Sequence, residues 1–192
     1  MKKTGNRKHS VYTNSDIVVM AVCQLGGALR HIHLEDVAMK AAELSPKAFA
    51  WKKYPEQINL ESVRIALKNE LGLANGRVIG SIRDGWMVTP QGLSWYLTTT
   101  GTKSNDAIVD QLRQEIARAK KTAAFHKAIN NKIEEVSAAE VKALIRIDEY
   151  FSARDRRERA VALANAAVLD PRLGLVVDNL ERRGFKELEM KI

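Results

Sequence analysis

A single cysteine, Cys23, stands among the 192 residues, so no disulfide closes within the chain, and a reducing cytoplasm is the expected compartment. Long apolar runs are missing too. No window reaches the roughly 18 consecutive apolar residues that a membrane-crossing helix needs, so no membrane partner is expected. The first eight residues, Met1 to Lys8, carry four cations and no apolar stretch, which does not fit a secretory leader. Residues 1–14 read instead as a flexible basic arm.

Enzyme signatures are equally scarce. The sequence holds no Gly-x-x-x-x-Gly-Lys-Ser/Thr loop, no Gly-x-Ser-x-Gly turn and no Gly-x-Gly-x-x-Gly turn. Its four histidines, His9, His31, His33 and His126, are scattered. Only His31 and His33 would share a strand face, and no third ligand follows at a zinc-binding spacing. Glu134-Glu135 and Asp148-Glu149 are adjacent pairs, which on a helix diverge by about 100° and do not converge on one substrate. The chain is therefore expected to be no enzyme and to use neither metal nor cofactor.

What is present is positive charge on an ordinary globular composition. Hydrophobic residues make up 45% and charged residues 28%, with a formal net charge of +8. That length and composition support one or two real cores, and the charge favours a polyanionic partner. The surplus is uneven: residues 1–103 hold fourteen Lys and Arg against eight Asp and Glu, and residues 104–192 hold seventeen against fifteen. The basic excess belongs to the N-terminal half.

That half also carries the clearest local signals. Arg77 to Ile82 is β-branched and strand-like, Arg83-Asp84-Gly85 contains an Asp-Gly turn, and Trp86-Met87-Val88 returns as a second strand. Asn75-Gly76 is a further turn signal that leaves the inner end of the first strand open. Thr89 before Pro90 predicts a cap and first turn for a helix through Leu93, Trp95, Tyr96 and Leu97. Upstream, Ser15 is expected to cap a helix over Asp16–Leu25, stopped by Gly26-Gly27. After an extended His31-Ile32-His33, a helix over Leu34–Leu44 should bury Leu34, Val37, Ala38, Ala41 and Leu44. Ser45-Pro46 ends it in a brief turn through Ala48, Phe49 and Trp51. Asn59 then caps a helix over Leu60–Leu71, with Gly72 as its stop.

On that last helix Leu60, Val63, Leu67 and Leu71 fall on one narrow face and are expected to pack inward. Ser62, Ile65, Ala66 and Asn69 then point outward, with Glu61 and Lys68 beside them and Arg64 at the border. Asn pairs with adenine, Ser with several base edges, and Ile touches a thymine methyl. No Arg points squarely outward, which predicts weak or shape-based readout.

Glu35-Asp36-Val37-Ala38, the Phe49–Pro55 turn, Leu60-Glu61-Ser62-Val63-Arg64 and Gly85–Gly92, with its aromatic-x-x-Thr-x-x-Gly ending, together resemble bacterial winged helix-turn-helix proteins over about residues 15–97. His33 departs from the Ser, Thr or Asp that usually caps the second helix of such domains. The resemblance implies a mainly α fold with a small β-hairpin wing. The function expected is double-stranded DNA binding, as a transcriptional regulator or DNA-targeting factor. Lys52, Lys53, Arg77 and Arg83 would neutralise phosphates, while Asn59, Ser62, Arg64, Ile65, Lys68 and Asn69 form the rest of the expected contact surface. The same fold also serves as a protein-interaction module. A larger protein partner, as in a bacterial complex of the phage-defence kind, is the alternative.

Thr98 to Asn105 is polar and reads as a linker. Residues 106–192 read as helical throughout. A helix from Asp106 carries Ile108, Val109, Leu112, Ile116, Ala119 and Ala123, a stripe that would pair two copies into a homodimer or else close the chain's own core. Ser137 with Glu140 is a capping box, Asp155 is expected to cap a helix ending near Asp170, and Pro171 starts a last helix that stops at Gly184. Arg154-Asp155-Arg156-Arg157-Glu158-Arg159 is the densest basic run. Its interleaved acids favour ion pairs within the helix over phosphate binding.

Overall fold

The computed structural model describes residues 12–71, 76–101 and 106–184. The basic arm therefore lies largely outside the described residues. Helices dominate, and a two-stranded antiparallel sheet sits between them.

Helix α1 (Asn14–Gln24) is capped by Thr13, not Ser15. Thr13 Oγ1 accepts the Asp16 N–H at 3.2 Å while the Asp16 carboxylate accepts the Thr13 N–H at 2.9 Å. This reciprocal box satisfies two otherwise orphaned donors, which a Ser15 cap would not. Every residue from Ile17 to Cys23 is buried, so α1 is the central post, touching α2, α3, α4 and β2. Helix α2 (Leu34–Leu44) starts after His33, whose Nδ1 takes the place of the missing hydroxyl cap by accepting the Glu35 N–H. Its last residue, Leu44, is exposed rather than buried.

Between α2 and α3 the chain makes a closed loop, not a brief turn. Ala50 bridges Ile58, Trp51 N–H donates to the Gln57 carbonyl, and Asn59 N–H donates to the Phe49 carbonyl at 2.6 Å. Phe49 is fully buried and anchors this loop. Helix α3 (Leu60–Asn69) then begins at Asn59, whose Oδ1 accepts the Ser62 N–H at 3.2 Å.

Strands β1 (Val78–Ser81) and β2 (Gly85–Val88) pair with Ser81 opposite Gly85. The strand expected over Arg77–Ile82 is shorter at both ends, because Ile82, Arg83 and Asp84 form the turn. Gly85 has φ +88°, and a Cβ there would crowd the Ile32 carbonyl, so the position needs glycine. Ile32 joins the other edge of β2 through reciprocal bonds with Trp86 at 2.9 and 2.8 Å. The order across this small sheet is thus Ile32, β2, β1.

Helix α4 (Pro90–Thr100) starts as the Thr-Pro pair predicts, with Thr89 Oγ1 accepting the Gly92 N–H at 3.0 Å. Any Cβ at Gly92 would meet the Arg77 carbonyl, which accounts for the Thr-x-x-Gly ending. The expected linker is helical up to Thr100. Thr98 and Thr100 return their hydroxyls to the Ser94 and Tyr96 carbonyls, so these polar side chains sit within the helix without breaking it. Residues 102–105 of that linker lie outside the described residues.

The C-terminal half comprises α5 (Asp106–Ala119), α6 (Ala123–Ile129), a 3₁₀ turn at Ile133–Glu135, α7 (Ala138–Ile145), α8 (Ala153–Ala167) and α9 (Pro171–Arg182). The Ser137–Glu140 box is present in both directions. Helix α8 is capped by Ser152, three residues before Asp155. Asp170 caps α9 ahead of Pro171. Ile108, Leu112, Ile116 and Ala119 are buried within the chain, where α5 packs on α8. Most of the stripe thus packs into the chain's own core, while Val109 is half-buried and Ala123 belongs to the next helix and is exposed.

One continuous apolar cluster runs through both halves. Its joint is specific: buried Asn165 of α8 donates through Nδ2 to the Ala28 carbonyl at 2.8 Å and the Val88 carbonyl at 3.0 Å. Val161 of α8 covers Ile79 and Met87 on the other face of the hairpin. His31 donates its backbone N–H to Glu158 at 3.0 Å and meets the same carboxylate through Nδ1 at 2.7 Å.

Candidate nucleic-acid interface

Helix α3 sits in the core with a different roll from the one its leucines suggest. Val63, Ala66 and Leu67 are buried, whereas Leu60 and Leu71 are exposed at 43% and 37%. The inward face is thus turned by roughly 50° from the leucine stripe, because α3 packs against both α1 and α2 and the small Ala66 lets them approach. Ala66 leaves the expected outward set. Ile65, Lys68 and Asn69 remain exposed, joined by Leu60 and Glu61, while Ser62 is half-buried.

The expected cations separate into two groups. Arg64 is tied to Glu61 by a bidentate pair on the helix surface, so its charge is locally cancelled. Arg77 is turned inward. Its Nε donates to Glu70 at 2.6 Å, its Nη1 donates to Asp16 at 2.7 Å, and its guanidinium lies 4.3 Å from the centre of the Trp95 ring. With the side chain only 16% exposed, Arg77 joins α1, the end of α3 and α4 and is not placed to meet a phosphate. The pair with Arg77 holds the Glu70 carboxyl below its usual range. Burial works to raise Asp16, but hydrogen bonds from Arg77 and Thr13 leave it lowered overall.

Lys52, Lys53, Lys68 and Arg83 stay at the surface and make no salt bridge among the described residues. Lys53 lies over its neighbour's ring, with Nζ 5.7 Å from the centre of Tyr54. Arg83 occupies the tip of the hairpin, which Ser81 closes by accepting the Asp84 N–H at 3.0 Å. Asn59 holds the start of α3 through its amide oxygen, so its role is positional.

The closed loop before α3 presents a feature that a brief turn does not imply. Trp51 and Tyr54 are each 49% exposed and flank Lys52 and Lys53. Aromatics interleaved with lysines in Trp-Lys-Lys-Tyr were the available signal. A surface of this kind can neutralise phosphate and lay apolar rings against a partner.

Among the described residues, no group of three or more His, Cys, Asp and Glu is placed to hold a metal, and no helix is long and apolar enough to cross a membrane. Cys23 is enclosed in α1, where burial pushes its thiol pKa far up and leaves it unreactive. Comparison with protein-family models, with curated proteins and with solved structures returns no match for the chain.

Proposed function

We propose that the chain binds double-stranded DNA, as a regulator or DNA-targeting factor, and that its N-terminal half is a winged helix-turn-helix. In this reading α3 enters the groove and the β1–β2 hairpin is the wing. The observation that carries it is the chain order α1, Ile32, α2, α3, β1, β2, with β2 between Ile32 and β1 in the sheet. This order places a capped helix directly before the hairpin and leaves one side of that helix to solvent. Lys68 and Asn69 on α3, Lys52 and Lys53 before it and Arg83 at the hairpin tip supply the phosphate and base-edge contacts. The reading requires no second copy of the chain.

The test is fluorescence anisotropy with a random-sequence duplex of about 30 base pairs in a salt series. Replacing Lys52 and Lys53 by Ala should lower the log–log salt slope by about one unit per lost phosphate contact. Asn69→Ala should alter sequence preference more than salt dependence. Wild-type protein that fails to bind duplex at low salt overturns the reading.

One observation favours a second reading, a protein-docking module. Trp51, Tyr54, Leu60 and Ile65 are all large, exposed and apolar on or next to α3, a composition suited to a protein interface. Ile65→Asp separates the two: it should abolish a co-purifying partner without changing DNA affinity if docking is the role.

A further inference from the structure

The basic run at the start of α8 does not form the ion pairs that its interleaved acids favour. Asp155 accepts from the Ser152 hydroxyl at 2.7 Å and closes the helix cap. Glu158 is taken by His31. Arg156 folds back on the Phe151, Asp148 and Glu149 carbonyls. Arg154 and Arg157 are left exposed, three residues apart on one face of α8, with no salt bridge among the described residues.

These two arginines line a small cleft whose other wall is the hairpin, formed by Ile79, Gly80, Ser81 and Asp84, with His31 at its floor. Among the described residues lining it Asp84 is the one carboxylate, and it accepts the Ser81 hydroxyl at 2.9 Å. The next carboxylate, Glu158, lies behind His31 and is held by its backbone N–H and ring, so the two guanidiniums keep no carboxylate partner of their own. The wall itself is firm, since Val161 packs under Ile79 and Met87.

We infer that the cleft between the hairpin and α8 seats a backbone phosphate of duplex DNA, held by Arg154 and Arg157, so that the C-terminal half is part of the DNA-binding surface. The inference rests on the DNA-binding reading above. Guanidinium forks match phosphate oxygens, and Arg83, next to the lining residue Asp84 in the hairpin turn, adds a further exposed cation for a continuous polyanion. Helix α8 thereby both supports the hairpin from behind and extends its charged edge.

The test compares the full-length wild type with Arg154→Ala/Arg157→Ala and with a charge-matched control, Arg172→Ala/Arg182→Ala. The control positions are exposed on α9, which lines no part of the cleft. By duplex anisotropy across salt, the cleft variant should lose about tenfold in affinity and about one unit of salt slope, well beyond the control. Both positions in each variant are exposed, so thermal melting should leave all three proteins alike. Cleft and control variants that bind equally would overturn the inference and leave the DNA reading standing. Wild type that does not bind duplex would overturn both.

Discussion

The two ends of the β1–β2 hairpin carry the same residue type in opposite situations. At its base Arg77 is bonded to Glu70 and Asp16 and covered by Trp95. At its tip Arg83 stands in an exposed turn closed only by Ser81 and Asp84. Each lies just outside a strand, so local sequence does not distinguish them. What separates them is carboxylates brought in from elsewhere in the chain. An arginine that meets two of them maintains the fold, and one that meets none is available to a partner.

The largest effect should come from the base. Arg77→Ala leaves two partly buried carboxylates without their cation and removes the cover on Trp95, which should cost about 2–4 kcal/mol in urea unfolding. Arg77→Lys should recover only part of this, since an ammonium cannot reach both carboxylates with the geometry of a fork. An unchanged midpoint for Arg77→Ala would erase the contrast with the tip.

Asn165→Ala tests the joint between the halves and ranks next. It removes two buried hydrogen bonds and leaves the Ala28 and Val88 carbonyls without that donor, an expected loss of about 2 kcal/mol. One cooperative unfolding transition should persist, because the apolar cluster continues across both halves.

Smaller still is a pH effect that depends on the same base. Asp16 and Glu70 have folded pKa values below their unfolded ones, so their contribution is complete above the ordinary carboxylate range near about pH 4. It is lost as pH falls through the folded values. Wild type should therefore lose stability in acid more steeply than Arg77→Met, whose carboxylates no longer gain from the pair. Equal acid slopes in the two proteins would contradict the assignment.

The smallest stability change should be at the tip. Arg83→Ala is expected to shift unfolding by less than about 0.5 kcal/mol, yet to lower the salt slope of duplex binding by about one unit. Reversed results at Arg77 and Arg83 would invert the comparison altogether.

Elements whose signals lie within a few residues were legible in the sequence. His33 and Ser45 bound α2 as read, Asn59 caps α3, Thr89-Pro90 opens α4, and the Ser137–Glu140 box opens α7. Caps and prolines act on the adjacent turn, so their meaning survives without tertiary knowledge. The roll of α3 was not legible, because Ala66 is buried only through the approach of α1 and α2. Nor was the fate of Arg77, which depends on Asp16, 61 residues away. The seating of Val161 behind the hairpin is equally remote from any local pattern. Within the candidate interface the surface lysines and the hairpin tip are legible in the sequence, whereas the exposure of Trp51 and Tyr54 depends on the loop closing between Ala50 and Ile58.

The most direct test of the central claim is binding of the wild-type chain to a labelled random-sequence duplex of about 30 base pairs between about 50 and 200 mM salt. The account predicts saturable binding that weakens steeply with salt and less steeply for Arg83→Ala. No binding at the lowest salt, or binding indifferent to salt, would contradict it.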